Sequence, residues 1–310
     1  MIHIIITSYN EPKSTEKAIN SILEQNLDKK IKEKFKIIVC DPFPEVKDFI
    51  EKKFKNKNIE FFLDPGEGKS TALNMLFNNI YSKNKDDLIV LTDGDVFIDK
   101  EAINEILNIF KDKKTGVICG HPYPINERNN KYGFWAHFQF YAISEIRKKL
   151  SKRGFFETSG YLFAIRNSVI KEFPTDSSED SIIPFLFWKK GYKIAYADKA
   201  LVYVLNPQNF KDWVQQRKRN IKGHATIKKN VSEKLEDSPP RTKSLFNEIK
   251  RGTLLSFTYP KNIKEMFWML QFYFARFYAW MIAYYEIKFK KQKYKDGWRE
   301  VEIESTKPLD

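Results

Sequence analysis

Short apolar runs alternating with helical stretches constrain this chain more than anything else in it. Ile2 to Thr7 (IHIIIT), Phe35 to Cys40 (FKIIVC), Ile59 to Leu63 (IEFFL), Leu88 to Thr92 (LIVLT) and Thr115 to Cys119 are strand-length and rich in β-branched or aromatic side chains. Helical patterns fill the gaps, near 14–25, 45–54, 69–81 and 100–110. Strands held apart by helices of this length do not pair as hairpins. They predict βαβ units, right-handed crossovers and a mostly parallel α/β sheet. The nearly unbroken apolar character of Leu88 to Thr92 suits a strand covered on both faces.

A polar residue follows three of these strands: Thr7, Asp41 and Asp93. The carboxyl ends of parallel strands are where open α/β sheets bind ligands, so this common edge is a candidate nucleotide pocket. The fourth strand runs straight into Asp93-Gly94-Asp95. Two carboxylates at a sheet end are costly unless a positive group offsets them, and a hydrated divalent cation carrying phosphates does so. A solvated acidic turn is the plain alternative. Gly66-Glu67-Gly68-Lys69-Ser70-Thr71 is not a P-loop, because that motif needs a glycine where Leu63 stands. It reads as a glycine-rich turn opening a helix, with Lys69 near phosphate or sugar groups.

With 310 residues, 42% of them hydrophobic, the chain suits one large domain or a domain with an appendage. Its net charge of +14 admits three kinds of partner: nucleic acid, an anionic membrane surface or a phosphorylated substrate. Cys40 and Cys119 lack metal-binding spacing and read as reduced core residues of a cytoplasmic protein. The apolar strand at the amino terminus has no basic region before it, which speaks against a signal peptide.

Several segments together resemble family 2 glycosyltransferases, enzymes of the GT-A fold. They are Thr7-Ser8-Tyr9-Asn10-Glu11, Asp41, Gly68-Lys69-Ser70-Thr71-Ala72-Leu73-Asn74, Asp93-Gly94-Asp95, Ser159 to Arg166, Ser178-Glu179-Asp180 and Gln216-Arg217-Lys218-Arg219-Asn220. The last is similar to the family's Q-x-x-R-W motif, with Asn220 where the tryptophan stands, which puts processive polymerisation in doubt. The match runs from about Met1 to Lys229. It implies a GT-A catalytic domain over 1–235, with a nucleotide-binding half at 1–120 and an acceptor half at 121–235.

The resemblance further implies a metal-dependent, inverting transfer of a sugar from a UDP- or GDP-sugar to the hydroxyl of a glycan or lipid-linked acceptor. Thr7, Tyr9, Asn10, Glu11, Asp41, Lys69, Asp93, Gln216 and Arg219 would bind the donor. Asp95, Asp93 and His224 would hold Mg²⁺ or Mn²⁺, a choice that oxygen donors and an incompletely filled shell favour. Asp180 would take the acceptor proton, with Glu179 beside it. Ser178 capping a helix whose first turn carries both acids is an alternative that is compatible with this role. A basic nucleic-acid-binding protein and an inactive GT-A scaffold are the competing readings; no nucleic acid is expected on the transferase reading.

Composition changes after Asp237-Ser238-Pro239-Pro240-Arg241, which reads as a linker, so 241–310 is expected to be a helical extension. Met266 to Ile287 is long enough to cross a bilayer, but Arg276 near its centre costs about 2.5–3.5 kcal/mol there. Glu265, Arg276 and Glu286 form a narrow polar stripe, and Ala275, Ala279 and Ala283 a seam for close helix contact. Lys288, Lys290, Lys291, Lys293 and Lys295 follow, each worth about 1 kcal/mol near anionic lipid. The segment is therefore expected to lie on the cytoplasmic leaflet as a peripheral anchor or to form a homo-oligomer seam, with burial against the catalytic domain as the alternative. The aromatic stretch 132–150 is expected to be a packing helix, with an acceptor wall or lipid contact as the sharper reading.

Overall fold

The computed structural model describes residues 1–55, 57–231, 255–290 and 306, with the backbone alone described for 224–231. The four leading strands are β1 (Ile2–Thr7), β2 (Phe35–Asp41), β3 (Ile59–Leu63) and β4 (Leu88–Asp93). They are linked by α1 (Pro12–Leu23), the short α2 (Lys29–Lys32), α3 (Pro44–Lys53) and α4 (Lys69–Ile80). All four strands run parallel, in the order β3-β2-β1-β4. The chain thus moves outward from β1 and then returns to its other side. That reversal opens a crevice at the carboxyl ends of β1 and β4, where Thr7 pairs with Asp93.

The second half departs from the parallel pattern. β5 (Phe97–Ile98), α5 (Ala102–Ile109), β6 (Thr115–Pro124), α6 (Lys131–Ser151), β7 (Leu162–Arg166), α7 (Glu179–Lys189) and β8 (Lys193–Val204) extend the sheet to eight strands, β3-β2-β1-β4-β7-β6-β8-β5. β7 lies antiparallel to both β4 and β6, and β5 antiparallel to β8, while β6 and β8 are parallel. The inverted β7 brings the segment before it, Ser159-Gly160-Tyr161, back to the carboxyl end of β4. There the Thr92 hydroxyl donates to the Tyr161 carbonyl at 2.8 Å.

Side chains alternate between two cores, as the period-two geometry of a strand requires. Ile4 and Ile6 of β1 join Val39 and Val90 beneath α1 and α5, whereas Ile5 joins Ile38, Ile89 and Leu91 beneath α4 and α7. Cys40 and Cys119 are thiols buried in the second core.

A third apolar cluster joins α6 to α8 (Phe210–Val231) and α9 (Ile263–Lys288). Asn130 caps α6 through the Gly133 amide, and Asn262 caps α9 through the Glu265 amide, both at 2.9 Å. The alanine seam of α9 is buried in this cluster with Trp135, Trp213 and Phe272, so its close helix contact is made within the chain. The Trp135 indole donates to the Trp268 carbonyl at 2.8 Å. Both acids of the expected polar stripe are paired: Glu265 with Arg128, and Glu286 with Lys218 and Lys222 of α8. No helix among the described residues is long and apolar enough to cross a membrane. The expected linker at 237–241 lies outside the described residues.

Candidate active site

Gly68 is the residue before α4 and has φ of 112°, a conformation that L side chains rarely adopt. It turns the chain so that Lys69 starts the helix facing the end of β4. The Lys69 ammonium lies 2.7 Å from Asp93 Oδ1 and 2.7 Å from Glu179 Oε1. The Thr7 hydroxyl donates to the same Asp93 oxygen at 3.0 Å. Burial works against the charge on Lys69, but the two carboxylates outweigh it and hold its pKa well above the ordinary lysine value.

One glycine makes room for this arrangement and a second lies against it. A Cβ on Gly94 would stand 2.5 Å from the Ser8 Cβ, so the Asp-Gly-Asp turn can sit against β1 only without a side chain between the acids. A Cβ on Gly160 would stand 3.4 Å from Glu179 Oε1 and 3.8 Å from the Lys69 ammonium. Gly160 therefore backs the cluster directly.

Glu179 and Asp180 open α7 behind Ser178, where the helix dipole favours negative charge. Asp180 Oδ1 accepts from the hydroxyls of Ser178 and Ser181, and its backbone carbonyl accepts from Thr158 Oγ1 at 2.7 Å. Its neighbour Glu179 is buried against Lys69, while Asp180 stays half-buried and lines the open space.

That space is a cavity of about 990 Å³, lined by Lys69, Asp93, Asp95, Glu179, Asp180, Gln216 and Arg219. Residues separated by most of the domain thus meet at one opening. On α8, the Arg217 guanidinium is bonded to Gln216.

The remaining expected donor residues lie at the ends of β1 and β2. Asp41 is fully buried and accepts from the Ser8 hydroxyl at 2.6 Å, the Asn10 amide at 3.0 Å and the Phe43 amide at 2.9 Å. Burial pushes its carboxyl pKa up, against the pull of these donors. In this conformation Asp41 clamps the loops after β1 and β2. Tyr9 packs edge-on against Phe43 with ring centroids 5.1 Å apart, and Glu11 is buried at the start of α1.

Asp93 and Asp95 supply the hard oxygen donors that a divalent cation takes, but among the described residues no group of three or more acids, histidines or cysteines converges. The pair therefore fits an ion whose shell is completed by phosphate oxygens and water rather than by a protein cage. His224 lies on α8, and its side chain falls outside the description. His121 and His137 instead hold backbone carbonyls, those of Asp198 and Asn126, each at 2.8 Å.

Arg147 and Glu157, which belong to none of the sequence motifs, also line the cavity. Arg147 lies in the charged last turns of α6 beside Glu145, Lys148 and Lys149, where its sequence reads as a solvated helix end, yet it is buried.

The model for glycosyl transferase family 2 matches residues 3–173. The chain belongs to glycosyltransferase family 2. A poly-β-1,6-N-acetyl-D-glucosamine synthase of Staphylococcus aureus is 25% identical over 231 residues, which cover 72% of this chain and 54% of the synthase. An O-antigen chain rhamnosyltransferase, WbaN of Salmonella anatum, is 29% identical over 131 residues, covering 39% of this chain and 41% of that protein. The chain thus spans about half the length of the curated relatives it matches. Among solved structures, the mannosyltransferase PcManGT of Pyrobaculum calidifontis, in complex with GDP-Man and Mn²⁺, superposes with a TM-score of 0.64 at 14% identity, over 94% of this chain and 88% of that one. S. aureus TarS in complex with UDP-GlcNAc gives 0.52 at 14% identity, over 87% and 79%. These likenesses establish the GT-A fold.

Proposed function

We propose that this glycosyltransferase moves a sugar, with inversion, from a nucleotide-sugar donor to an acceptor hydroxyl at or near a membrane surface. The observation that carries the reading is the convergence of Lys69, Asp93, Asp95, Glu179, Asp180, Gln216 and Arg219 on one cavity at the switch point of the sheet. UDP-GlcNAc and GDP-Man accompany solved structures of the same fold, which supports this donor class.

On this reading Thr7, Tyr9, Asn10 and Glu11 frame the nucleotide, and Asp41 acts through the loops it clamps. Asp93 and Asp95 would hold Mg²⁺ or Mn²⁺, which when bound supplies Lewis-acid stabilisation of the departing diphosphate. Lys69 neutralises Asp93 and Glu179 at the phosphate end, and Gln216 and Arg219 reach the diphosphate from α8. Asp180 accepts the acceptor proton as the new bond forms between the acceptor oxygen and the anomeric carbon. The bond from that carbon to the phosphate oxygen breaks on the opposite side, and the nucleoside diphosphate leaves with its electron pair. The exposed aromatic face of α9 favours a position at a lipid surface.

A thermal-shift panel of UDP-, GDP- and dTDP-sugars with and without Mn²⁺ tests the reading. One donor should stabilise the protein in a metal-dependent way, and Asp95→Ala should abolish the metal increment. No response to any donor, or an unchanged increment in Asp95→Ala, refutes it.

A further inference from the structure

Pro184 sits inside α7, one helical turn after Asp180. In an α-helix each carbonyl accepts from the amide four residues on, and proline has no N–H to give. The Asp180 carbonyl therefore needs a donor from outside its own helix. Thr158 supplies two, its amide at 2.9 Å and its hydroxyl at 2.7 Å. Ser178 does not cap the backbone of α7 with its side chain, because its hydroxyl goes to the Asp180 carboxylate instead. Thr158 is thus an anchor for the first turn of α7.

Arg147 of α6 holds Thr158 in turn. Its Nη2 donates to the Thr158 carbonyl at 2.8 Å, and Thr158 is fully buried. The guanidinium is 5% exposed, stands 5.9 Å from the centre of the Phe156 ring, and keeps Nη1 buried without a hydrogen-bond partner. A buried cation with an unmet donor is costly, and an apolar side chain would fill the same space at lower cost. Packing alone does not call for an arginine here; the Thr158 carbonyl does, because a charged donor bonds it more strongly than a neutral one. Further along the same segment the Tyr161 carbonyl accepts from the Thr92 hydroxyl. The strap from Thr158 to Tyr161 is therefore fixed by Arg147 at one end and by β4 at the other.

We infer that Arg147 is a positioning residue that sets the place of the Asp180 carboxylate through Thr158. This rests on the transferase reading above, in which Asp180 takes the acceptor proton. The relay runs from Arg147 Nη2 to the Thr158 carbonyl, and from the Thr158 amide and hydroxyl to the Asp180 carbonyl. A shift of about 1 Å in a proton-accepting group can cost ~100-fold in rate, so a relay to its backbone has leverage on the chemistry. Arg147 also lines the cavity, and direct contact with a substrate is the rival role that the kinetics separate.

Two measurements on the full chain test this. Hydrogen exchange needs no donor: in Arg147→Met the Thr158 amide should exchange at least ~10-fold faster while the amides of β1 and β4 keep their protection. Unchanged exchange at Thr158 overturns the inference. Hydrolysis of the nucleotide-sugar, with water in the acceptor's place, reads the consequence without any acceptor. Arg147→Met should lower kcat ~10- to 100-fold and leave KM within about twofold. Thr158→Val, close in shape, should lower kcat ~3- to 10-fold, and Thr158→Ser, which keeps the hydroxyl, should stay near the wild-type rate. A raised KM at unchanged kcat in Arg147→Met overturns the inference in favour of direct substrate contact, as does full turnover by Thr158→Val. If Arg147→Met does not fold, the Thr158 pair decides. Asp180→Asn in the same assay tells the two failures apart: full rate there refutes the base assignment, whereas a slow Asp180→Asn beside a fast Arg147→Met refutes the relay alone.

Discussion

The Lys69 ammonium stands 2.7 Å from Glu179 Oε1, joining the first turn of α4 to the first turn of α7 across the mouth of the sheet. The same nitrogen holds Asp93 at 2.7 Å, so one cation neutralises two carboxylates from different elements. Removing it would leave Glu179, which is 6% exposed, buried beside a second negative charge. Lys69→Met is therefore expected to lose on the order of 3 kcal/mol of stability at neutral pH in urea unfolding. The loss should shrink in acid, as the orphaned carboxylates take up protons. A deficit independent of pH would mean that packing, not charge, explains it.

Both acids line the cavity, but Asp180 is the more exposed of the pair, while Glu179 is buried and engaged by Lys69. If Asp180 receives the acceptor proton, Asp180→Asn should slow transfer by about 10²- to 10⁴-fold and leave donor binding intact. Glu179→Gln, by contrast, should loosen the hold on Lys69 and weaken both stability and donor binding. Full rate in Asp180→Asn would remove it from the chemistry.

The parallel half of the sheet was legible because each of its strands is a short apolar run followed by a helix, a pattern that admits few topologies. The inverted β7 was not. Leu162 to Arg166 is apolar enough for a strand, but nothing local fixes the direction in which it enters between β4 and β6. The resemblance brought Asp93, Asp95, Glu179 and Asp180 forward as separate motifs. The bridging role of Lys69 between two of them arises only when the chain folds. Arg147 was hidden for a related reason: beside Glu145, Lys148 and Lys149 it reads as part of a solvated helix end, and its burial against the Phe156 ring and the Thr158 carbonyl arises only when the chain folds. The alanine seam of α9 was visible, but not the partner it meets.

Gly94 tests whether the acid turn depends on close approach to β1. Its Cβ would meet the Ser8 Cβ at 2.5 Å and Thr15 Oγ1 at 3.0 Å, both well inside normal contact. Gly94→Ala should cost about 1–3 kcal/mol in unfolding free energy and displace Asp93 and Asp95 enough to reduce the donor-dependent thermal shift. Gly66 provides the contrast. Nothing lies within 4 Å of its added Cβ, but its φ of 80° is unfavourable for L residues. Gly66→Ala should cost about 1–2 kcal/mol through backbone strain and leave the acids in place.

The seating of α9 should depend on pH. Burial favours the neutral form of Glu286, but the Lys218 and Lys222 ammonium groups outweigh it and hold its pKa below the ordinary value of 4.5. Burial is likewise outweighed at Glu265, where Arg128 and the Lys261 amide lower the pKa. A depressed carboxylate pKa contributes stability that is fully present above 4.5 and lost as the pH falls through the lowered value. Acidification from pH 6 should therefore release α9 from α6 and α8 before the sheet unfolds. The fluorescence of Trp135, Trp213 and Trp268, which pack at that junction, should change ahead of the far-ultraviolet dichroism. Glu286→Gln should weaken the junction at neutral pH and reduce its acid response to the part that Glu265 and Arg128 still carry. Coincident loss of both signals in the wild-type protein would show that α9 and the sheet unfold as one unit.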